Sequence, residues 1–225
     1  MVDPVFPQRA TAANAEVLSV DWLFEPLWPG DRLMARIDHG DVTLTDEVGQ
    51  PASAEYEEVV ELLRAAVMAG QAVVDGVWTA QPFVGDGSLA RTWADTIAHE
   101  GLGAELPDPV AEERRRAFVA VDLVELDGEP LYDIPFQERR RLLESVIDER
   151  VQVRLSPVVK HPLGGWLIGW RANGFTHYLA KHMNSGYLPG ERNDDWLKLS
   201  LRAVTPRGLV GRLVGTRDRV RRIRD

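Results

Sequence analysis

Lysine, cysteine and histidine are the residue types that would do nucleophilic or metal chemistry, and in this chain each is scarce, absent or oddly placed. Lysine occurs only three times, as Lys160, Lys181 and Lys198, and cysteine not at all. Thiolate nucleophiles, thiolate metal sites and disulfides are therefore excluded. His177 and His182 are five apart, which on a strand puts them on opposite faces, so no metal site is expected there. The segment EPLWPGDR, residues 25–32, has the frame of a reactive loop: an acid, two prolines, a glycine and an arginine. Inside that frame stand Leu27 and Pro29, and nothing at its centre is a nucleophile.

Charge is divided unevenly. The whole chain carries −9, whereas residues 201–225 hold eight Arg and two Asp, a net +6, which leaves −15 on residues 1–200. A body that acidic repels a phosphate backbone, so any nucleic-acid contact would fall to the tail and to Arg207, Arg212, Arg217, Arg219, Arg221, Arg222 and Arg224. The same arginines could instead strap the tail across the acidic body or dock an acidic partner. With 225 residues, 44% of them apolar, the expectation is one folded domain over residues 1–200 followed by the basic tail. The start lacks a basic and apolar leader and no apolar run is long enough to cross a bilayer, so a cytoplasmic location with no membrane contact is expected.

The elements that must position these residues follow from periodicity and turn chemistry. RLMARIDHGDVTL alternates around His39-Gly40 as a hairpin. Residues 53–70 predict a helix with Ser53 as its cap, Glu57, Glu58 and Glu61 on a solvated face and Gly70 as its stop. QAVVDGVW and FVAVDLVELDG predict strands, the second closed by Asp127-Gly128. A helix is expected near LARTWADTIAH, residues 89–99. IPFQERRRLLESVI predicts an amphipathic helix with Phe136, Leu142, Leu143 and Ile147 on one side. A strand at RVQVRLSP, a short helix at GGWLIGWRA, a strand at THYLAK, a loop through NSGYLPGERND and a strand at WLKLSLRAV complete the body. Trp28, Trp166, Trp170 and Trp196 read as core or interface aromatics. Irregular interleaving of strands and helices with hairpin signals points to an α+β fold.

Taken in order, EPLWPGDR, VVDGV, VAVDLVELDG, GFTHYLAKH and SGYLPGERNDDWLKLS resemble the nucleotidyltransferase motifs of bacterial and archaeal ATP-dependent DNA ligases, from about Trp22 to Ser200. The resemblance implies an adenylation domain with antiparallel sheets flanked by helices, like those of DNA ligases and mRNA capping enzymes. It also implies a lysine nucleophile in an E-x-K-x-D-G-x-R loop that attacks the α-phosphate of ATP. Here Glu25 and Arg32 fit that loop, and the nucleophile position is Leu27. The sugar-binding glutamate of L-D-G-E is matched by Val77, and the adenine-stacking ring of F-D-L by Val121. The metal-binding carboxylate and the glycine of E-G-x-V-A-K are matched by Thr176 and His177, and the second lysine of W-L-K-x-K by Ser200.

Scaffold neighbours such as Asp75, Gly76, Asp122, Tyr187 and Gly190 still fit. Lys181 and Lys198 match lysines that meet the nucleotide's phosphates in the family. Glu25 and Arg32 are read first as a surface or loop ion pair and second as remnants of nucleotide contacts. Leaving a sugar hydroxyl or phosphate oxygen buried without a partner costs about 1–3 kcal/mol each, against roughly 8 kcal/mol for a whole micromolar affinity. The old pocket is thus expected to be partly filled core, with no metal and no cofactor, ATP and Mg being those the family would use. Only 25 residues follow Ser200, so no OB-fold domain is expected. These readings converge on a catalytically inactive, ligase-like domain that serves a protein partner. A divergent ligase or nucleotidyltransferase, or a nucleotide sensor, is the alternative.

Overall fold

A computed structural model describes residues 4–80 and 116–201. The expected helix at residues 89–99 and the basic tail lie outside these bounds. Two sheets carry the fold. One has four strands in the order β1-β10-β9-β2, formed by Arg9–Ala12, Arg192–Ser200, His177–His182 and Trp22–Pro26. The other runs β4-β3-β5-β6-β7 through Asp41–Asp46, Asp31–Asp38, Gln71–Thr79, Ala117–Leu126 and Glu129–Pro130, with β8 (Val153–Leu155) also on β6. Pairing is antiparallel except for β1 with β10 and β6 with β8, which run parallel. The sheets are therefore mixed, which the hairpin signals alone did not indicate.

Local chemistry explains the turns. His39 and Gly40 both have positive φ, 49° and 92°, as do Asp127 and Gly128 at 51° and 81°. Consecutive left-handed residues of these types match the twist of flanking strands and close two-residue hairpins. Between β2 and β3, Gly30 has φ 141°, and a Cβ there would lie 2.2 Å from the carbonyl oxygen of Trp78. That contact explains why the loop keeps its glycine.

Helix α1 spans Glu57–Ala66, shorter than residues 53–70. Ser53 does not cap it: its Oγ accepts a hydrogen bond from Leu44 N at 2.8 Å and ties the approach segment to β4. Nor does Gly70 end it. Val67 turns extended to form a bridge with Ile147, the residue at which α2 (Phe136–Val146) also ends. Met68 N donates to Val146 O and Asp148 N to Ala66 O, both at 2.8 Å. The two helices close each other's last turn.

The buried face of α2 is Phe136, Arg139, Arg140, Leu143 and Val146, while Leu142 packs only partly. Two arginines thus sit on the face expected to be wholly apolar. Helix α3 spans Gly164–Ala172. β10 starts at Arg192, inside the expected loop, because Arg9 pairs with that residue through β1. The main core of the larger sheet joins Leu33, Val59, Leu63, Phe118, Leu123 and Leu143. No helix among the described residues is long and apolar enough to cross a membrane.

Candidate functional site

Register brings the scattered motif positions together. Glu25 on β2 lies opposite Leu179 on β9, which lies opposite Lys198 on β10, so Glu25 and Lys198 share a face. On the larger sheet Arg32 lies opposite Val77. β6 is bulged there: Val74 and Asp75 pair with Leu123 and Asp122, while Gly76 next to them pairs with Ala120, leaving Val121 as the extra residue. A bulge redirects side chains locally, and Val121 joins the cluster of Val77, Val119, Phe24 and Trp28. The backbone oxygen of Val121 then faces Lys181 Nζ at 3.3 Å.

Leu27 is half-buried, and its backbone N donates to His177 O at 3.1 Å, fixing the loop on β9. Trp28 beside it is 6% exposed, donates its indole N–H to Ser156 Oγ at 3.0 Å and meets the Phe175 ring edge-on at 4.9 Å. Val77 and Val121 are 5% and 3% exposed. Neither offers a hydrogen bond to a sugar or a ring to stack on a base, so these residues do not fit the nucleotide contacts of the resembling motifs. Thr176 is exposed and its hydroxyl lies 2.9 Å from His177 Nδ1. Among the described residues no group of three or more His, Cys, Asp or Glu could hold a metal.

The charged positions are engaged with the protein itself. Arg32 makes a two-pronged pair with Asp75 at 2.5 and 2.6 Å. Burial opposes the Arg32 charge, but Asp75 outweighs it through charge and hydrogen bonding and holds the guanidinium above its ordinary pKa. Tyr187 donates its hydroxyl to Asp75 at 2.8 Å and accepts from Gln8 N at 3.0 Å. Burial, then the Asp75 charge, push that hydroxyl well above its ordinary pKa.

Lys181 Nζ lies 2.6 Å from Glu25 Oε1, with both side chains almost wholly buried. It also stands 3.9 Å from the Trp196 ring centre and 4.6 Å from that of Phe136. The contact to Glu25 is a close ion pair, and Glu25 Oε2 has no donor among the described residues. A third pair, Arg139 with Asp122, is fully buried, with two parallel bonds of 2.9 Å. Further N–H groups of Arg139 cap the carbonyls of Ile134 and Ser185.

Two expectations are corrected. Glu25 and Arg32 do not form a surface pair: each is matched to a different buried partner. Lys181 is not free to meet a phosphate, because two aromatic rings and a carboxylate enclose it. Lys198 is half-buried and has no ion pair among the described residues. Arg207 and the other tail arginines lie outside the described residues. Sequence reasoning missed Arg139, although its spacing of three from Phe136 and four from Leu143 marks it as core-facing.

The family model described as ATP dependent DNA ligase domain matches residues 7–200. A DNA ligase of Thermococcus onnurineus is 26% identical over 204 residues, which cover 88% of this chain and 36% of that protein. The multifunctional non-homologous end joining DNA repair protein LigD of Mycobacterium tuberculosis is 28% identical over 197 residues, covering 87% and 24%. The chain thus spans about a third or less of these two relatives. The crystal structure of the ligase domain of M. tuberculosis LigD aligns with TM-score 0.61 and 26% identity over 86% of this chain and 58% of that one.

Proposed function

Because the chain belongs to the ATP-dependent DNA ligase domain family, we propose that it is a catalytically silent member. In this reading it forms no covalent adenylate and acts as a binding or regulatory partner, in the DNA-repair setting that a LigD-type relative suggests. Leu27 at the nucleophile position carries the reading. An amine of adjustable pKa is needed for that attack, and neither Lys160 nor Lys181 is placed to supply one. Lys181 is held by Glu25, and Lys160 follows Val159, which bridges the opposite edge of β2 from β9. The buried Val77 and Val121 support the further proposal that no nucleotide cofactor and no magnesium ion is bound.

One observation favours a nucleotide sensor or divergent transferase: Lys198 is a half-buried cation on the face that carries Glu25. Calorimetric titration with ATP and Mg²⁺ separates the two. The silent-domain reading expects no heat up to millimolar ATP, while micromolar binding favours the sensor. Covalent AMP on the purified protein after incubation with ATP and a divalent metal would falsify the silent-domain reading outright.

A further inference from the structure

Away from the motif positions, a groove of about 650 Å³ runs between the C-terminal end of α2, the segment 148–159 and the first turn of α3. That volume falls within the range of small-ligand clefts, about 300–1,000 Å³, so it seats a few side chains of an extended segment. Its walls are apolar at Met68, Ile147, Leu155 and Trp166. Met68 is 65% exposed there. Arg140 lies at its base, 8% exposed, with Nε bonded to Glu144 at 2.8 Å and Nη1 buried without a partner among the described residues.

A buried guanidinium N–H wants an acceptor, since leaving it unmade costs free energy. The acceptor is not an anion. Glu144, Asp148 and Glu149 line the same groove against the single Arg140, and their surplus negative charge repels a phosphate or carboxylate. Asp148 also pairs with Arg150 and Glu149 accepts from Leu155 N, which softens that surplus without reversing it. The fitting occupant is therefore cationic overall, apolar at intervals, and brings a neutral acceptor such as a peptide carbonyl.

We infer that the groove docks the chain's own segment 207–217, RGLVGRLVGTR. In composition it suits that groove: Leu209 and Leu213, four apart, fall on one side of an extended segment for the apolar walls, Arg207, Arg212 and Arg217 complement the acidic rim, and its backbone carbonyls are neutral acceptors of the kind Arg140 Nη1 lacks. Residues 81–115 do not qualify, because they hold seven acids against three arginines. Reach favours the tail. Leu201 O accepts from Arg171 Nε at 3.0 Å, and Trp166 stands five residues earlier on the same helix, roughly 8 Å along its axis. Residues 202–207 alone span up to about 20 Å when extended.

The absence of cysteine makes the test clean. In the full chain, Met68→Cys is paired with Leu209→Cys or Leu213→Cys, and Val48→Cys, at a comparably exposed site, replaces Met68→Cys as control. Docking raises the local thiol concentration, so under mild oxidant the groove pair closes an intramolecular disulfide about tenfold faster or more. Charge reversal by R207E and R212E abolishes that preference. Equal rates for groove and control pairs at both tail positions overturn the inference. So does a preference that survives charge reversal, or a disulfide that links two chains, which assigns the groove to a second copy.

Discussion

Two regions between the sheets solve opposite problems. Around Val77, Val121, Phe24 and Trp28 the chain is apolar and buried. Around Asp75, Asp122 and Glu25 it stays charged, but each acid has a cation of its own chain: Arg32, Arg139 and Lys181. The first region offers no polar side chain at Val77 or Val121; the second keeps three cations whose charge is already matched inside the protein. Buried charge without a partner is expensive, and a matched pair is tolerated rather than strongly stabilising. In the proposed silent-domain reading, these matched pairs let the frame persist without a ligand.

The largest break in this contrast comes from Asp122→Ala. Arg139 is left fully buried and unpaired, and stability falls by about 3–5 kcal/mol in a urea titration. The paired change Asp122→Leu with Arg139→Met recovers most of that loss if the two residues act as an isolated pair; a double variant as unstable as the single one disproves that independence. Next comes Val121→Phe, which returns a ring to the apolar region. Overpacking costs about 1–3 kcal/mol, and thermal unfolding with millimolar ATP stays unchanged. A rise in Tm on adding ATP would mean that the region is an open site rather than core.

Tyr187→Phe sharpens the charged side of the comparison by leaving Gln8 N and Asp75 each short of a partner, at about 1–3 kcal/mol. Its pH dependence has a definite sign. The Tyr187 hydroxyl is held well above its ordinary value of 10.0, so the folded state retains a proton that the unfolded chain gives up first. Its contribution is complete below about pH 10 and is lost as pH rises through the folded value. The stability gap between the native protein and Tyr187→Phe should narrow in urea titrations taken above that pH. Lys198→Ala is the smallest change, within about 0.5 kcal/mol, because this cation has no ion pair to lose among the described residues. A larger loss would place Lys198 in the charged network.

Much of the frame was legible because it rests on local rules. His39-Gly40 and Asp127-Gly128 named their hairpins, and GGWLIGWRA named α3. Misreadings arose where distant residues decide. Ser53 looked like a helix cap, yet Leu44 N claims its hydroxyl. Gly70 looked like a stop, yet the bridge between Val67 and Ile147 ends α1 earlier. In the candidate site the motif positions were legible from order and spacing. Their pairing was not, because Glu25 and Lys181 are 156 residues apart and meet only through β2–β9 register.

That bridge also sets how the domain comes apart. The final turns of α1 and α2 share two reciprocal backbone hydrogen bonds, Met68 N to Val146 O and Asp148 N to Ala66 O, which together make the bridge between Val67 and Ile147. Neither end can fray without stripping bonds from the other, so the pair behaves as one opening unit. In native-state hydrogen exchange the amides of Met68 and Asp148 should share a single opening free energy. One helix end has become the other's cap, and their loss is a joint event.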